Sequence, residues 1–315
     1  MSSGRERADG QGGAVYPVIL SASRATDIPA FYADWFMNRL RAGFFRWRNP
    51  FRPSQVQTVC TERVRAIVFW SKHPAGLLPH LEELDRRGVH YYLHYTLNDY
   101  EAEGLEPGLP PLEERIRLFR QCAERLGPDR VIWRLDPLVW TDRCGTGELL
   151  GKAARLARAL EGCTRKLVFS LVDLEAYPGV KRTLARAGVR ARESEPAEVT
   201  DVARGLADLR RATGLEVAAC AEEADLSGWG IEHNRCVDGG LMGRLWPEDA
   251  ALLGYLASRE GKKDPGQRKA CGCVASKDIG RYRTCPHLCA YCYANRGEEE
   301  VGRNWSRHCP GGEEL

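Results

Sequence analysis

The fold of this chain is constrained most by the alternation of short apolar runs with amphipathic segments. The apolar runs are rich in Val, Ile and aromatic residues, which indicates strands covered on both faces. Six such runs occur, at residues 17–23, 66–70, 91–96, 131–134, 166–171 and 215–220. Apolar residues recur at helical spacing in residues 28–42, 111–126, 147–160 and 197–213. This order predicts an α/β fold whose strands lie parallel in one sheet.

Six strand–helix units fit a complete or partial (β/α) TIM-like barrel, which is the architecture we expect. A doubly wound open sheet is the alternative, but no Gly-x-Gly-x-x-Gly follows the first strand. We expect the barrel-like domain to span residues 14–262, with a C-terminal cysteine-rich segment, residues 263–296, packed on it. Residues 1–13 are expected to form a disordered polar tail, and residues 297–315 a second polar tail.

Composition narrows the class of protein. An apolar fraction of 43% and a charged fraction of 28% are typical of a soluble globular chain. We expect no membrane association and a cytoplasmic location, because no apolar run approaches the length of a membrane span and the N-terminus lacks the apolar core of a secretory signal. Twelve cysteines then indicate reduced thiols and metal ligands. The net charge of +3 gives no push toward nucleic acid.

Near the C-terminus, Cys285, Cys289 and Cys292 form the pattern C-x3-C-x2-C, with Tyr291 just before the third cysteine. Three closely spaced thiolates can hold three irons of a [4Fe-4S] cluster and leave the fourth iron open to a small molecule. A zinc site is the main alternative, and unrelated reduced thiols are another. Zinc sites more often use C-x2-C pairs, so the spacing favours the iron–sulfur interpretation.

A second set of cysteines consists of Cys220, Cys236, Cys271 and Cys273. Together these four could hold a second centre, either an auxiliary iron–sulfur cluster or a structural zinc ion. Alternatively, Cys220 is a buried strand cysteine and Cys236 a loop thiol. His287, Cys271 or Cys273 could also complete a zinc site with the first three cysteines.

Polar side chains follow the ends of the predicted strands. They are Arg24, Asp27, Lys72, Arg134, Asp136, Ser170 and Glu222. Because (β/α) barrels carry their catalytic groups at the C-terminal ends of strands, we expect these side chains to converge on one rim. There the ionic groups would bind a polar substrate or the carboxylate of a cofactor, and Ser170 would contact the cofactor. Structural alternatives exist, since Asp27 can cap the helix that follows it and Arg134 can simply pair with Asp136.

The chain resembles the bacterial family catalogued as domain of unknown function 1848, from the first strand to Asn295. The resemblance rests on residues 23–32, 49–51, 69–74, 133–137, 220–222 and 267–294, of which the last block is the most specific. That family is recognised for a C-terminal cysteine cluster similar to the one that radical S-adenosylmethionine (radical SAM) enzymes carry at the start of their barrel. Departures from the expected residues occur at Ala25, Ser71, His73 and Leu135, and none removes a candidate metal ligand.

This resemblance implies a [4Fe-4S] cluster on Cys285, Cys289 and Cys292, with S-adenosylmethionine at the open iron and Tyr291 beside its adenine. The implied reaction is reductive cleavage of the cofactor and abstraction of hydrogen from a small-molecule or peptide substrate, which requires a reducing electron donor. Two alternatives stay open. One is a metal-binding protein whose zinc or iron–sulfur centre is structural.

The other alternative is a nucleic-acid repair or modification enzyme that uses the same cluster. Its phosphate contacts would come from Arg39, Arg41, Arg46, Arg48 and Arg52. The same arginines could instead form a solvated face of a helix and loop, which is the interpretation we favour. In either enzyme we expect the C-terminal segment to fold back over the strand ends, so that the cysteines of the first motif share a cavity with the polar rim.

Overall fold

The structure is a computed structural model that describes residues 11–315. The strands are β1 (Gln11–Val15), β2 (Ile19–Ala22), β3 (Phe44–Arg48), β4 (Val56–Cys60), β5 (Ala66–Ser71), β6 (His90–Thr96), β7 (Val131–Leu138), β8 (Trp140–Thr141), β9 (Lys166–Leu171), β10 (Ala191–Arg192), β11 (Glu216–Ala219), β12 (Glu232–His233) and β13 (Lys277–Asp278). The helices are α1 (Ile28–Phe31), α2 (Ala33–Ala42), α3 (Leu81–Arg86), α4 (Leu112–Leu126), α5 (Thr146–Ala159), α6 (Pro178–Arg186), α7 (Pro196–Thr213), α8 (Gly239–Leu245), α9 (Ala250–Ser258) and α10 (Glu298–Ser306).

Eight of the strands form one central sheet in the order β12-β11-β9-β7-β6-β5-β2-β13. Every neighbouring pair in this sheet is parallel. The six predicted strands are its central members, β2, β5, β6, β7, β9 and β11, and they neighbour one another in chain order. The prediction of an α/β fold with a parallel sheet is therefore confirmed.

A closed barrel is not shown by residues 11–315. Closure requires every strand to be paired on both sides. The edge strands β12 and β13 are each two residues long, and within the described residues each pairs only with its inner neighbour. The expectation was of a complete or partial barrel, and residues 11–315 form a parallel eight-stranded sheet whose two end strands are not paired with one another.

The two faces of the sheet are covered by different layers. Along β5, Ile67 and Phe69 point into the larger core, which contains the buried faces of helices α2, α4, α5 and α7. Ala66 and Val68 point into the second core, which includes residues of α8 and α9. The alternation follows from the period of two in a strand, and burial on both faces explains why the strand runs are continuously apolar.

The predicted helices form with one interruption. The segment expected as one helix over residues 28–42 divides into α1 and α2 at Tyr32. Its hydroxyl donates to the Thr284 carbonyl at 2.5 Å. The break therefore lies where the chain contacts the cysteine-rich segment.

The C-terminal segment joins the sheet through β13, which pairs with β2. The Asp278 carboxylate accepts hydrogen bonds from the Ser21 and Ser23 hydroxyls at 2.7 and 2.8 Å. It also accepts from the Arg24 amide at 2.9 Å. Because these residues lie at the C-terminal end of β2, the segment that follows β13 is held at that edge of the sheet.

The described parts of the two predicted tails contain regular secondary structure. Of the N-terminal tail, residues 1–10 lie outside the described residues, and Gln11 to Gly13 begin strand β1, which pairs with β4. Residues 297–315 contain helix α10, and the last carboxylates pair with Arg46 and Arg48. Within residues 11–315, no helix is both long enough and apolar enough to cross a membrane.

Candidate functional site

The cysteine-rich segment places three thiols above the C-terminal edge of the sheet. Cys289 is buried, while Cys285 and Cys292 are half-buried. The loop is tied to the chain on both sides, since the Gly108 amide donates to the His287 carbonyl at 3.0 Å and Asn295 Nδ2 donates to the Cys285 carbonyl at 2.9 Å. We call Cys285, Cys289 and Cys292 the three-cysteine loop.

Burial dominates the acidity of these thiols. It raises the pKa of Cys285 to about 12, and negative charge on Asp27 and Cys292 adds to the effect. Burial also raises the pKa of Cys289 well above its ordinary value, although the positive charge of nearby Lys72 acts to lower it. Negative charge on Cys292 raises the pKa of both Cys285 and Cys289, so the three sulfurs lie near enough to interact electrostatically. Without a cation, these thiols are neutral at pH 7, and a bound metal would be needed to hold them as thiolates.

Tyr291 connects this loop to a buried ionic group. Its hydroxyl donates to the Glu106 carboxylate and accepts from Lys72 Nζ at 2.8 Å. Asn98 Nδ2 also donates to it at 3.0 Å. Glu106 lies 2.8 Å from Lys72 Nζ and 3.2 Å from Arg115 Nη1. Burial alone would raise the pKa of Glu106, but the two cations outweigh it and hold the pKa below its ordinary value.

Asp27 joins helix α1 to the three-cysteine loop. Its carboxylate caps α1 by accepting from the Ala30 amide at 3.0 Å, as the structural alternative predicted. The same carboxylate accepts from the Lys72 amide at 2.7 Å and lies 2.9 Å from His287 Nε2. Burial opposes its ionisation, but these hydrogen bonds, led by that of His287, hold the pKa of Asp27 below its ordinary value. The Asp27 carboxylate therefore both caps helix α1 and holds the three-cysteine loop through His287.

The second set of cysteines converges in the second core. The Cys220 and Cys236 sulfurs are 3.4 Å apart. The Cys273 sulfur accepts from the Val237 amide at 3.3 Å, and Cys271 packs against the same core. We call these four residues the four-thiol cluster. Cys236 also accepts from Arg134 Nη1 at 2.8 Å.

The pKa values within the four-thiol cluster diverge because the thiols share protons. Hydrogen bonds from Cys220 and Cys273 lower the pKa of Cys236 well below its ordinary value, helped by the positive charge of Arg134. The hydrogen bond to Cys236, together with burial, raises the pKa of Cys220. A hydrogen bond from Cys273 also lowers the pKa of Cys271, to about 6, so Cys236 and Cys271 are the more acidic thiols of the cluster.

Arg134, Asp136 and Ser170 lie beside the four-thiol cluster. Arg134 pairs with the Asp136 carboxylate, as expected for residues two apart on an extended segment. The Ser170 hydroxyl donates to the other Asp136 oxygen. The Asp136 backbone connects this group to the three-cysteine loop through Asn98. The Asp136 amide donates to the Asn98 side-chain oxygen and the Asp136 carbonyl accepts from the Asn98 side-chain nitrogen, each at 3.0 Å, and Asn98 in turn bonds Tyr291.

Trp70 lies close to two arginines of the site, Arg24 and Arg134. The guanidinium carbons of Arg24 and Arg134 lie 4.9 and 5.1 Å from its ring centroid, and the His94 ring stacks on it at 4.4 Å. One terminal nitrogen of Arg24, Nη2, is buried and has no hydrogen-bond partner within residues 11–315. Such an orphaned donor suits an anionic ligand group.

Glu222 lies apart from the three-cysteine loop. Its carboxylate accepts from the Leu171 amide at 2.8 Å, and burial raises the pKa of Glu222. Its charged neighbours are Arg268, Asp173 and Glu193. Lys72 and Tyr291 form one contact group, Arg134, Asp136 and Ser170 another, and Glu222 joins neither by a direct contact among the described hydrogen bonds.

Sequence reasoning missed Asn98, Glu106, Arg115 and Asp278. Asn98 follows the end of β6 by two residues, so the rule used for the other strand ends could have found it. Glu106 lies in an irregular segment between β6 and α4, where no periodicity indicates burial. Three of the five arginines considered for phosphate binding pair with carboxylates: Arg41 with Glu83, Arg46 with Glu313 and Arg48 with Glu314.

Across residues 11–315, no three His, Cys, Asp or Glu side chains already stand in a geometry that could hold a metal ion. Metal binding at either cysteine set would therefore require local movement of the thiols. The chemistry of both donor sets still suits a soft metal centre, because each consists of thiols that lie largely away from solvent.

The fold and the site together define an α/β protein that carries a cysteine-rich segment over the C-terminal edge of a parallel sheet. The chain belongs to the family described as "Domain of unknown function (DUF1848)", whose model matches residues 19–294. The resemblance seen in the sequence is thus confirmed. No curated protein and no solved structure matches the chain.

Proposed function

We propose that this protein is an iron–sulfur enzyme of the radical SAM type. Cys285, Cys289 and Cys292 would hold a [4Fe-4S] cluster, which when bound supplies the electron for reductive cleavage of S-adenosylmethionine. One observation carries the proposal. The C-x3-C-x2-C loop lies at the edge of the sheet where parallel α/β folds place their sites, and its Tyr291 is bonded to Lys72 from the end of β5.

The residues of the chain itself have definable tasks in this proposal. Lys72, Asn98 and Glu106 fix the Tyr291 ring through its hydroxyl, so the ring offers a rigid face for an adenine. The orphaned Nη2 of Arg24 offers a donor to a carboxylate of cofactor or substrate. Burial of Tyr291 and its hydrogen-bond partners keeps water away, and a reactive radical must be formed in the absence of water.

A structural metal centre without radical chemistry is the second candidate. It is supported by the ties that bind the three-cysteine loop into the fold. Asp27 bonds His287 within the loop, and the loop carbonyls approach Gly108 so closely that an added Cβ there would stand 2.5 Å from the Pro286 oxygen. A metal on such a loop would stabilise the packing of the whole segment.

The decisive experiment combines metal analysis with product analysis. Anaerobically purified protein should contain about four irons and four sulfides on the three-cysteine loop. Reduction in the presence of S-adenosylmethionine should release 5′-deoxyadenosine. Cys289→Ala should abolish the product, whereas Cys163→Ala should keep it, since Cys163 precedes β9 and lies at the opposite edge of the sheet.

Two results would decide against this function. Colourless protein carrying zinc after anaerobic cluster reconstitution would exclude the iron–sulfur centre. An intact cluster that releases no 5′-deoxyadenosine would leave the structural centre as the better conclusion.

A further inference from the structure

The four-thiol cluster is assembled from three separate parts of the chain. Cys220 ends β11, Cys236 lies between β12 and α8, and Cys271 and Cys273 precede β13. All four pack in the second core, where the Cys220 and Cys236 sulfurs are 3.4 Å apart and the Cys273 sulfur accepts from the amide of Val237, the residue after Cys236, at 3.3 Å.

The short sulfur–sulfur distance separates a single tetrahedral ion from a [4Fe-4S] cube. Two sulfurs bound to one tetrahedral ion at about 2.3 Å each are about 3.8 Å apart. Cysteines of a [4Fe-4S] cube bind different irons, which puts their sulfurs about 6 Å apart. The separation of 3.4 Å between Cys220 and Cys236 is a few tenths of an ångström from the first arrangement and far from the second.

Hydrogen-bond donors surround the sulfurs as they do in metal–thiolate sites. Cys236 Sγ accepts from Arg134 Nη1 at 2.8 Å and from Asn234 Nδ2 at 3.0 Å. Cys273 Sγ accepts from the Val237 amide at 3.3 Å. Four thiolates around one divalent ion leave a net charge of −2, and the adjacent Arg134 and Arg24 carry two positive charges that offset it.

The backbone around Cys236 is held from the sheet. Its carbonyl accepts from the Tyr92 hydroxyl at 2.5 Å and lies 2.7 Å from His94 Nε2. Cys236 and Cys273 are buried in the second core, between the sheet and helices α8 and α9. An ion here would link the end of β11, through Cys220, to the segment that carries helices α8 and α9, through Cys236, Cys271 and Cys273.

We infer that Cys220, Cys236, Cys271 and Cys273 bind one tetrahedrally coordinated divalent ion of the zinc class, at a site distinct from the three-cysteine loop. Because no three ligands within residues 11–315 already stand in metal-binding geometry, binding would draw the Cys271 and Cys273 sulfurs toward the Cys220–Cys236 pair, whose sulfurs would move slightly apart. Its role is structural, since four protein thiolates leave no open position for a substrate. The inference is independent of the proposed radical chemistry.

The test uses the Cys285→Ala/Cys289→Ala/Cys292→Ala triple variant, so that failure of the first site cannot hide the second. This variant should retain about one zinc per chain. After zinc removal, titration with Co²⁺ should give the intense visible absorption of a tetrahedral thiolate complex at one equivalent. Adding Cys236→Ser or Cys273→Ser should weaken Co²⁺ binding at least tenfold, and adding Cys163→Ser should leave it unchanged.

A second measurement needs no further substitution and covers the case in which the serine variants do not fold. In the folded triple variant, iodoacetamide labelling of Cys220, Cys236, Cys271 and Cys273 should slow together when Co²⁺ is present and recover when it is chelated. Labelling that is indifferent to Co²⁺ would overturn the inference. Iron and sulfide retained by the triple variant would overturn the single-ion assignment in favour of a cluster.

Discussion

The buried ionic group around Glu106 allows a prediction with a definite size and pH dependence. The perturbation is Glu106→Gln, which keeps the shape of the side chain and removes its charge. The Glu106 side chain is only 3% exposed and faces Lys72 at 2.8 Å and Arg115 at 3.2 Å, and Arg115 is 1% exposed. Removing one partner of a buried ion pair costs about 3–5 kcal/mol, because the remaining charge is left uncompensated.

We therefore expect Glu106→Gln to lower the free energy of unfolding by about 3 kcal/mol at pH 7, the low end of the range, since Gln still offers an amide oxygen. Urea unfolding under anaerobic, reducing conditions measures it. Glu124→Gln is the matched control, because Glu124 is exposed on α4, and it should change stability by less than about 0.5 kcal/mol. Lys72→Met in the Glu106→Gln background should cost less than it does alone.

The pH dependence follows from the depressed pKa of Glu106. In the folded chain Lys72 and Arg115 hold that pKa below its ordinary value, so the carboxylate stabilises the fold above its unfolded pKa of about 4.3. This stabilisation is lost as the pH falls through the folded pKa. The difference between wild type and Glu106→Gln should thus be full at pH 7 and shrink below about pH 4. A variant as stable as wild type at pH 7, or a difference that persists unchanged to low pH, would refute the reasoning.

Three further perturbations test the ties of the three-cysteine loop. Asp27→Asn weakens the acceptor of the Ala30 and Lys72 amides and of His287, so we expect a loss of about 1–3 kcal/mol in urea unfolding, against no change for an exposed carboxylate such as Glu113→Gln. Gly108→Ala would place a Cβ 2.5 Å from the Pro286 oxygen and 2.7 Å from the His287 oxygen, and should lower iron content while circular dichroism stays native; Gly147→Ala, which meets nothing within 4 Å, should change neither. Tyr291→Phe removes a hydroxyl bonded to Lys72, Asn98 and Glu106, and should leave iron content intact but slow release of 5′-deoxyadenosine about tenfold; an unchanged rate would show that the ring needs no anchoring.

The central strands could be predicted because burial on both faces leaves a direct trace in the sequence. Residues 66–70 are apolar without interruption, and β5 is an interior strand of the sheet. The edge strands leave no such trace. Glu232-His233 and Lys277-Asp278 are short and polar, and they become strands only because β11 and β2 offer an open edge to pair with.

For the candidate site, spacing identified the cysteines but not what surrounds them. Cys285, Cys289 and Cys292 are close in sequence and had to be close in space. The approach of Cys220 to Cys236 was anticipated as an open alternative, and the structure brings the two sulfurs to 3.4 Å. Glu106 gave no signal, because an isolated carboxylate in an irregular segment is usually exposed, and only Lys72 and Arg115 make its burial tolerable.

The pairing of β13 with β2 has a consequence for biosynthesis. The Ser21 and Asp278 side chains that bond across this pair are separated by 257 residues of sequence. A chain made from the N-terminus forms its six central strands and their helices long before Asp278 leaves the ribosome. The thiols of the last segment therefore meet a sheet that is already built, and β13 is added last to its open edge. Until then, Ser21 and Arg24 of the nascent chain lack their carboxylate partner.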